Sequence, residues 1–198
     1  MKRILVPVTA LLLICACRSK QAESISPELK QADTAKKNYL PVADYLKAEI
    51  AAVDSFPLRI VRYHIENNKT DSGLITTAVF DQIAREFLLT ELDSSYFEKN
   101  FDENSFVDRS TNLVSFTYST KKTGMGLKRV DVLLKPGSGG TDKLSSIYME
   151  AISETNDSTR ISKLSWKAGR NFRILHIEKP KNGPETTNQT VVVWDSRD

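Results

Sequence analysis

His64-Ile65-Glu66 and His176-Ile177-Glu178 repeat one spacing: an imidazole and a carboxylate separated by a single isoleucine. In a strand, alternate residues point to one face, so each pair would present a nitrogen and an oxygen ligand together. Brought side by side by neighbouring strands, His64, Glu66, His176 and Glu178 could hold a divalent ion such as zinc or iron. The simpler reading puts each pair on a solvated strand face near its end, because turn residues follow both. The chain has only 2 histidines, so a Ser-His-acid triad would have to use one of them beside an activated serine.

Other catalytic signatures are weaker. No Gly-x-Ser-x-Gly nucleophile elbow occurs. Gly137-Ser138-Gly139-Gly140 lies between two predicted strands and lacks the Gly-Lys-Ser/Thr ending that cradles phosphate, so it reads as a hairpin loop. Asp93, Glu98, Asp102, Glu103 and Asp108 gather in one stretch. Acids at a helix start account for Asp93 and Glu98 as well as glycosidase chemistry would. The chain is therefore read as a non-enzyme with no cofactor. Tyr148, Trp166, Phe172 and Trp194 fall in or beside predicted strands, where aromatics either fill a core or line a pocket for an apolar ligand. Arg160, Lys163, Lys167, Arg170 and Arg173 interleave with them, but the first three alternate as an ordinary solvent face and Arg170 and Arg173 read as loop-end residues, not a nucleic-acid platform.

The start of the chain has a chemistry of its own. Lys2 and Arg3 precede an apolar or small run, residues 4–16, which ends at Cys17. Such a run covers about 20 Å as a helix, short of the roughly 30 Å hydrocarbon core of a bilayer. A charged start, a short apolar middle and small residues at the end predict a secretory signal over residues 1–16. Ile14-Cys15-Ala16-Cys17 resembles a bacterial lipobox. The resemblance implies cleavage before Cys17, lipidation of Cys17, and membrane attachment through its acyl chains. Arg18 stands where enteric lipoproteins carry an inner-membrane retention aspartate, and Lys20 where some surface-exported lipoproteins carry acids. Both comparisons point to the periplasmic face of the outer membrane.

Residues 17–38 hold no aromatic side chain and little apolar character, which predicts a flexible tether. Within it Asp33-Thr34-Ala35 resembles a bacterial O-glycosylation acceptor. Loss of the leader would remove Lys2 and Arg3 and lower the net charge from +3 to +1, which gives neither nucleic acid nor an anionic bilayer a strong attraction. The chain has 2 cysteines, Cys15 and Cys17; with one cleaved away and the other acylated, no internal disulfide or thiolate metal site remains.

Residues 39–198 are read as a single α+β domain. Val42, Tyr45, Leu46, Ile50 and Val53 fall on one helical face after Pro41. Residues 58–65 read as a strand and Asn67 to Gly73 as turn material. Val79, Phe80, Ile83, Phe87 and Leu88 form the stripe of a second helix capped by Thr76 or Thr77, and a short third helix follows Asp93. From Leu113 the period changes to two, giving six more strands with short connections. The expected architecture is N-terminal helices packed on a curved antiparallel sheet of about six to seven strands in a meander.

"DYLKAEI", "YFEKNF", "RVDVLLKP" and "SIYMEAI" resemble segments of small uncharacterised lipoproteins of Bacteroidota-type bacteria, a family with no activity to transfer. The expected function is a lipid-anchored, non-enzymatic binding or accessory module engaging an envelope protein. The alternative is a carrier of a lipid or other apolar ligand between sheet and helices. In its order of elements that alternative is similar to periplasmic lipoprotein-carrier proteins and to folds related to nuclear transport factor 2.

Overall fold

Alternating apolar and polar residues organise most of this chain, and helices occupy only its first half. The computed structural model describes residues 39–55, 59–67, 69–137 and 142–195, all within a compact unit spanning Lys37–Asp198. In chain order these residues form helix α1 (Val42–Asp54), strands β1 (Ile60–Glu66) and β2 (Lys69–Ile75), and helices α2 (Thr77–Ala84) and α3 (Ser94–Asn100). Strands β3 (Phe101–Asp108), β4 (Leu113–Thr120), β5 (Leu127–Lys135), β6 (Lys143–Glu154), β7 (Ser158–Lys167), β8 (Asn171–Pro180) and β9 (Thr186–Val193) follow. Two 3-10 turns, Arg85–Phe87 and Thr90–Leu92, link α2 to α3.

The strands make a single 9-stranded antiparallel sheet in the order β2-β1-β9-β8-β7-β6-β5-β4-β3. This overturns the expected α+β layout of six to seven strands behind N-terminal helices. β1 and β2 precede α2 and α3, and β1 pairs with β9, so the sheet is not one simple meander. The strands that sequence reading missed, β2 and β3, are the two edges of the sheet. Every residue of β2 except Ile75 is exposed, and β3 buries only Phe101 fully. A strand that buries neither face has no alternation to display.

One row of side chains shows how the core is laid. Val192, Phe172, Trp166, Ile147 and Val132 stand directly opposite one another across β9, β8, β7, β6 and β5, and all are fully buried. Leu46 of α1, Phe80 of α2 and Phe87 of the following turn are buried in the same core. Phe87 meets Trp166 edge-on at 5.1 Å, and Trp166 stacks on Phe172 at 5.2 Å. Burial of each such ring removes enough apolar surface to stabilise the fold by about 1.5–3 kcal/mol.

Local signals place the helices. The Thr76 hydroxyl accepts the Val79 N–H at 3.4 Å and starts α2. The Asp93 carboxylate accepts the Ser95 N–H at 2.9 Å and starts α3. Each satisfies a backbone donor that a helix start leaves free. At the β7–β8 turn Gly169 takes a positive φ of +68°, and its N–H donates to the Glu49 carboxylate of α1 at 2.7 Å. The same carboxylate accepts the Trp166 indole N–H at 3.3 Å, so one acid ties α1 to both the turn and the core.

Candidate functional site

Along the helix-covered face, the sheet changes from apolar to polar within a few residues. The row Val192–Phe172–Trp166 is followed two positions along by Thr190–Ile174–Leu164, then by Asn188–His176–Ser162, then by Thr186–Glu178–Arg160. The last two rows carry two neighbouring sets of hydrogen bonds. His176 Nδ1 lies 2.9 Å from the Ser162 hydroxyl, and its Nε2 lies 3.0 Å from a Glu86 carboxylate oxygen. Glu86 arrives from the 3-10 turn Arg85–Phe87, where the buried Phe87 next to it fixes the backbone. Glu178 accepts the Arg160 Nε–H and the Ser158 hydroxyl, each at 2.7 Å. Those bonds, that from Arg160 foremost, hold the Glu178 carboxyl below the usual carboxylate range. Between them the side chains border an open depression of about 430 Å³, lined also by half-buried Asn188 and Thr190 and by exposed Thr186.

Both sequence-predicted histidine–carboxylate pairs sit on this face. His64 and Glu66 are on β1, His176 and Glu178 on β8, and β9 runs between them. Glu66 is opposite Asn188, which is opposite His176, so the backbones of Glu66 and His176 are two strand spacings, about 10 Å, apart. His64 stands opposite Thr190, with Nδ1 3.5 Å from the Thr190 hydroxyl. The fold therefore gathers the four residues on one face: Glu66, His176 and Glu178 border the same depression, and His64 lies outside it. Among the described residues, no group of three or more His, Cys, Asp or Glu side chains could hold a metal ion.

The residues expected to line an apolar pocket are separated. Trp166 and Phe172 are fully buried, and Trp194 keeps 7% exposure, packed against Phe80 at 5.3 Å. These rings fill the core instead of lining a space in it. Tyr148 is on the opposite face, across from Ser165 and Asp131, with its hydroxyl donating to Glu150 at 3.1 Å. Cys17, the predicted signal 1–16, the tether 17–38 and the Asp33-Thr34-Ala35 motif lie outside the described residues, as do residues 138–140 of the glycine run.

Sequence reasoning missed Ser162 and Glu86. Ser162 is 14 residues from His176 and Glu86 is 90, so only strand register and helix packing reveal the grouping. A serine, an imidazole and a carboxylate in line have the composition of a hydrolytic triad. Ser162, however, lies within a central strand, paired on both sides with Ala151 and His176. A nucleophile needs backbone N–H groups free to receive an oxyanion. A sharp strand-to-helix turn supplies them, whereas ladder bonds to β6 and β8 consume those around Ser162. What this arrangement can do is present fixed acceptors and donors to a polar surface. No family model, curated protein or solved structure matches the chain, so its reading rests on these residues.

Proposed function

We propose that this chain is a lipid-anchored lipoprotein of the bacterial cell envelope, acting as a non-enzymatic binding or accessory module. The lipobox-like Ile14-Cys15-Ala16-Cys17 supports attachment through acyl chains on Cys17, and Arg18 and Lys20 support the periplasmic face of the outer membrane. The observation that carries binding is the depression bounded by Glu66, Glu86, Arg160, His176 and Glu178. Of these, Glu86, Arg160, His176 and Glu178 are pre-set by hydrogen bonds to Ser158, Ser162 and one another. Pre-set polar groups lose little conformational freedom on docking, which favours recognition of a polar envelope protein. An apolar ligand gains nothing there, and Trp166 and Phe172 already occupy the space that a carrier would need.

Two experiments test this reading. Radiolabelled palmitate is expected to enter the chain in its host and to vanish with Cys17→Ser; labelling that persists, or none at all, defeats the anchor. A photo-reactive residue replacing Thr186, at the rim of the depression, is expected to trap one defined envelope protein. The same residue at exposed Ser110, in the β3–β4 turn, serves as comparison. Equal capture from both positions, or none from either, defeats the binding site.

A further inference from the structure

Among the described residues no helix lies on the second face of the sheet, and the charges of that face are sorted by strand. Outward positions of β1, β2, β7, β8 and β9 carry Lys163, Lys167, Arg173 and Lys179 and not one carboxylate, as the register shows. Lys179 is paired with Glu185 at 3.0 Å, whereas Lys163, Lys167 and Arg173 make no ion pair among the described residues. Around them the same face shows Tyr63 at 39% exposure and Leu74 at 64%. Half-buried Val191 stands directly between Tyr63 and Arg173, and half-buried Leu175 opposite Lys163. The outward positions of β3 to β6 differ: Asp102, Asp108, Asp131, Glu150 and Glu154 outnumber Arg129, Lys135 and Lys143. The boundary runs between β6 and β7, where Glu150 faces Lys163 without bonding to it.

We propose that the β1–β2–β7–β8–β9 half of this face lies against an anionic phospholipid surface. Aliphatic residues with a tyrosine among unpaired cations match a bilayer interface, where apolar groups enter the headgroup boundary and each cation adds attraction. A net charge near zero would hide such a face; the fold exposes it by sending Glu66, Asp71 and Glu178 to the opposite side of the same strands. A second copy is the poorer occupant. Two-fold stacking of this half on itself would bring Arg173, Lys163 and Lys167 of one copy among the same cations of the other, and like charges so gathered repel. Docking in this way would turn the polar depression away from the bilayer, towards a partner. The proposal shares only its membrane with the anchor reading, since it needs no acyl chain.

The test uses the compact unit Lys37–Asp198, which holds the whole described core and lacks Cys17. Its fold is first checked by a cooperative melt. If it does not fold alone, the full chain replaces it, the leader then contributing equally to every variant. Flotation is compared on vesicles of phosphatidylcholine and on vesicles containing phosphatidylglycerol. Binding is expected only with phosphatidylglycerol and is expected to weaken with salt. Lys167→Glu with Arg173→Glu is expected to lower partition roughly thirtyfold or more, from about a factor of five for each cation lost at an anionic surface. Lys99→Glu with Lys122→Glu, an equal charge change away from this face, is expected to leave partition unchanged. No binding to phosphatidylglycerol, equal loss in both double variants, or a solution dimer broken by Lys167→Glu with Arg173→Glu would each overturn the proposal. Vesicle binding by this unit without palmitate entering the full chain would retain this face and remove the anchor. Palmitate incorporation without vesicle binding would do the reverse.

Discussion

Asp108 ends β3, and its carboxylate accepts the Ser110 hydroxyl at 2.7 Å, the Thr111 hydroxyl at 2.8 Å and the Ser110 N–H at 2.8 Å. The Ser110 hydroxyl leads the causes that bring its pKa down to about 2. A carboxyl depressed in the folded state stabilises it above the unfolded value, near 4, and that contribution disappears as pH falls through about 2. Asp108→Asn is therefore expected to flatten the loss of stability between about pH 4 and 2, read from urea midpoints at several pH values. Parallel acid limbs for the two proteins would refute the role. The Glu86–His176 contact makes a second residue-level case. Both groups are partly exposed, so a double-mutant cycle of Glu86→Ala and His176→Ala is expected to give a coupling of about 0.5–1 kcal/mol. Additive losses would mean that the 3.0 Å contact contributes nothing. The chain revealed His176 and Glu178 as a same-face pair, but no spacing rule connects either to Glu86 or Ser158. Those partners come from a turn and a neighbouring strand, and register is a property of the folded sheet.

At the scale of elements, legibility followed burial. α1, α2 and the strands β4 to β9 each bury apolar side chains on one face, and their patterns were plain in the sequence. β2 carries Asp71, Ser72 and Gly73 in its middle, residues that resemble a turn, yet it is held by full pairing with β1. β3 mixes Asp102, Glu103 and Asn104 and reads as an acidic loop, although it pairs along its whole length with β4. Backbone ladders formed both strands without help from side-chain pattern, which is why an edge is hard to see from sequence. The helices, by contrast, depend on rings. Phe80 of α2 touches Phe172 at 5.6 Å and Trp194 at 5.3 Å. Phe80→Ala is expected to cost about 3–5 kcal/mol and to shift tryptophan emission to the red as water reaches Trp166 and Trp194. A loss below about 1 kcal/mol with unchanged emission would show that α2 is held by something else.

For the whole molecule, the open sheet sets a gradient of stability. β7 and β8 lie inside it, each paired on both sides and joined by the Gly169 turn that Glu49 fastens to α1. β2 has a single partner and places nearly all of its residues in water. Opening β2 exposes little apolar surface, whereas opening β7 exposes Trp166 and Leu164 to solvent. Local opening free energy scales with the surface and bonds given up, so protection should rise from the β1–β2 hairpin through β9 to β8 and β7. Native-state hydrogen exchange is expected to follow that order, with the ladder amides of Lys163 to Lys167 exchanging only through global unfolding. Because β1 joins the meander through β9, the β1–β2 hairpin should open as one unit and leave β3 to β9 protected. Simultaneous exchange of β2 and β7 would mean that the sheet melts all at once, and the edge would then be as firmly held as the centre. A singly paired edge beside a doubly paired centre also suits the division of faces, since the cations Lys167 and Arg173 sit on interior strands and Leu74 on the edge. Slower exchange of β2 on phosphatidylglycerol vesicles, without change in β4 or β5, is the whole-molecule result expected when that half of the sheet meets the bilayer.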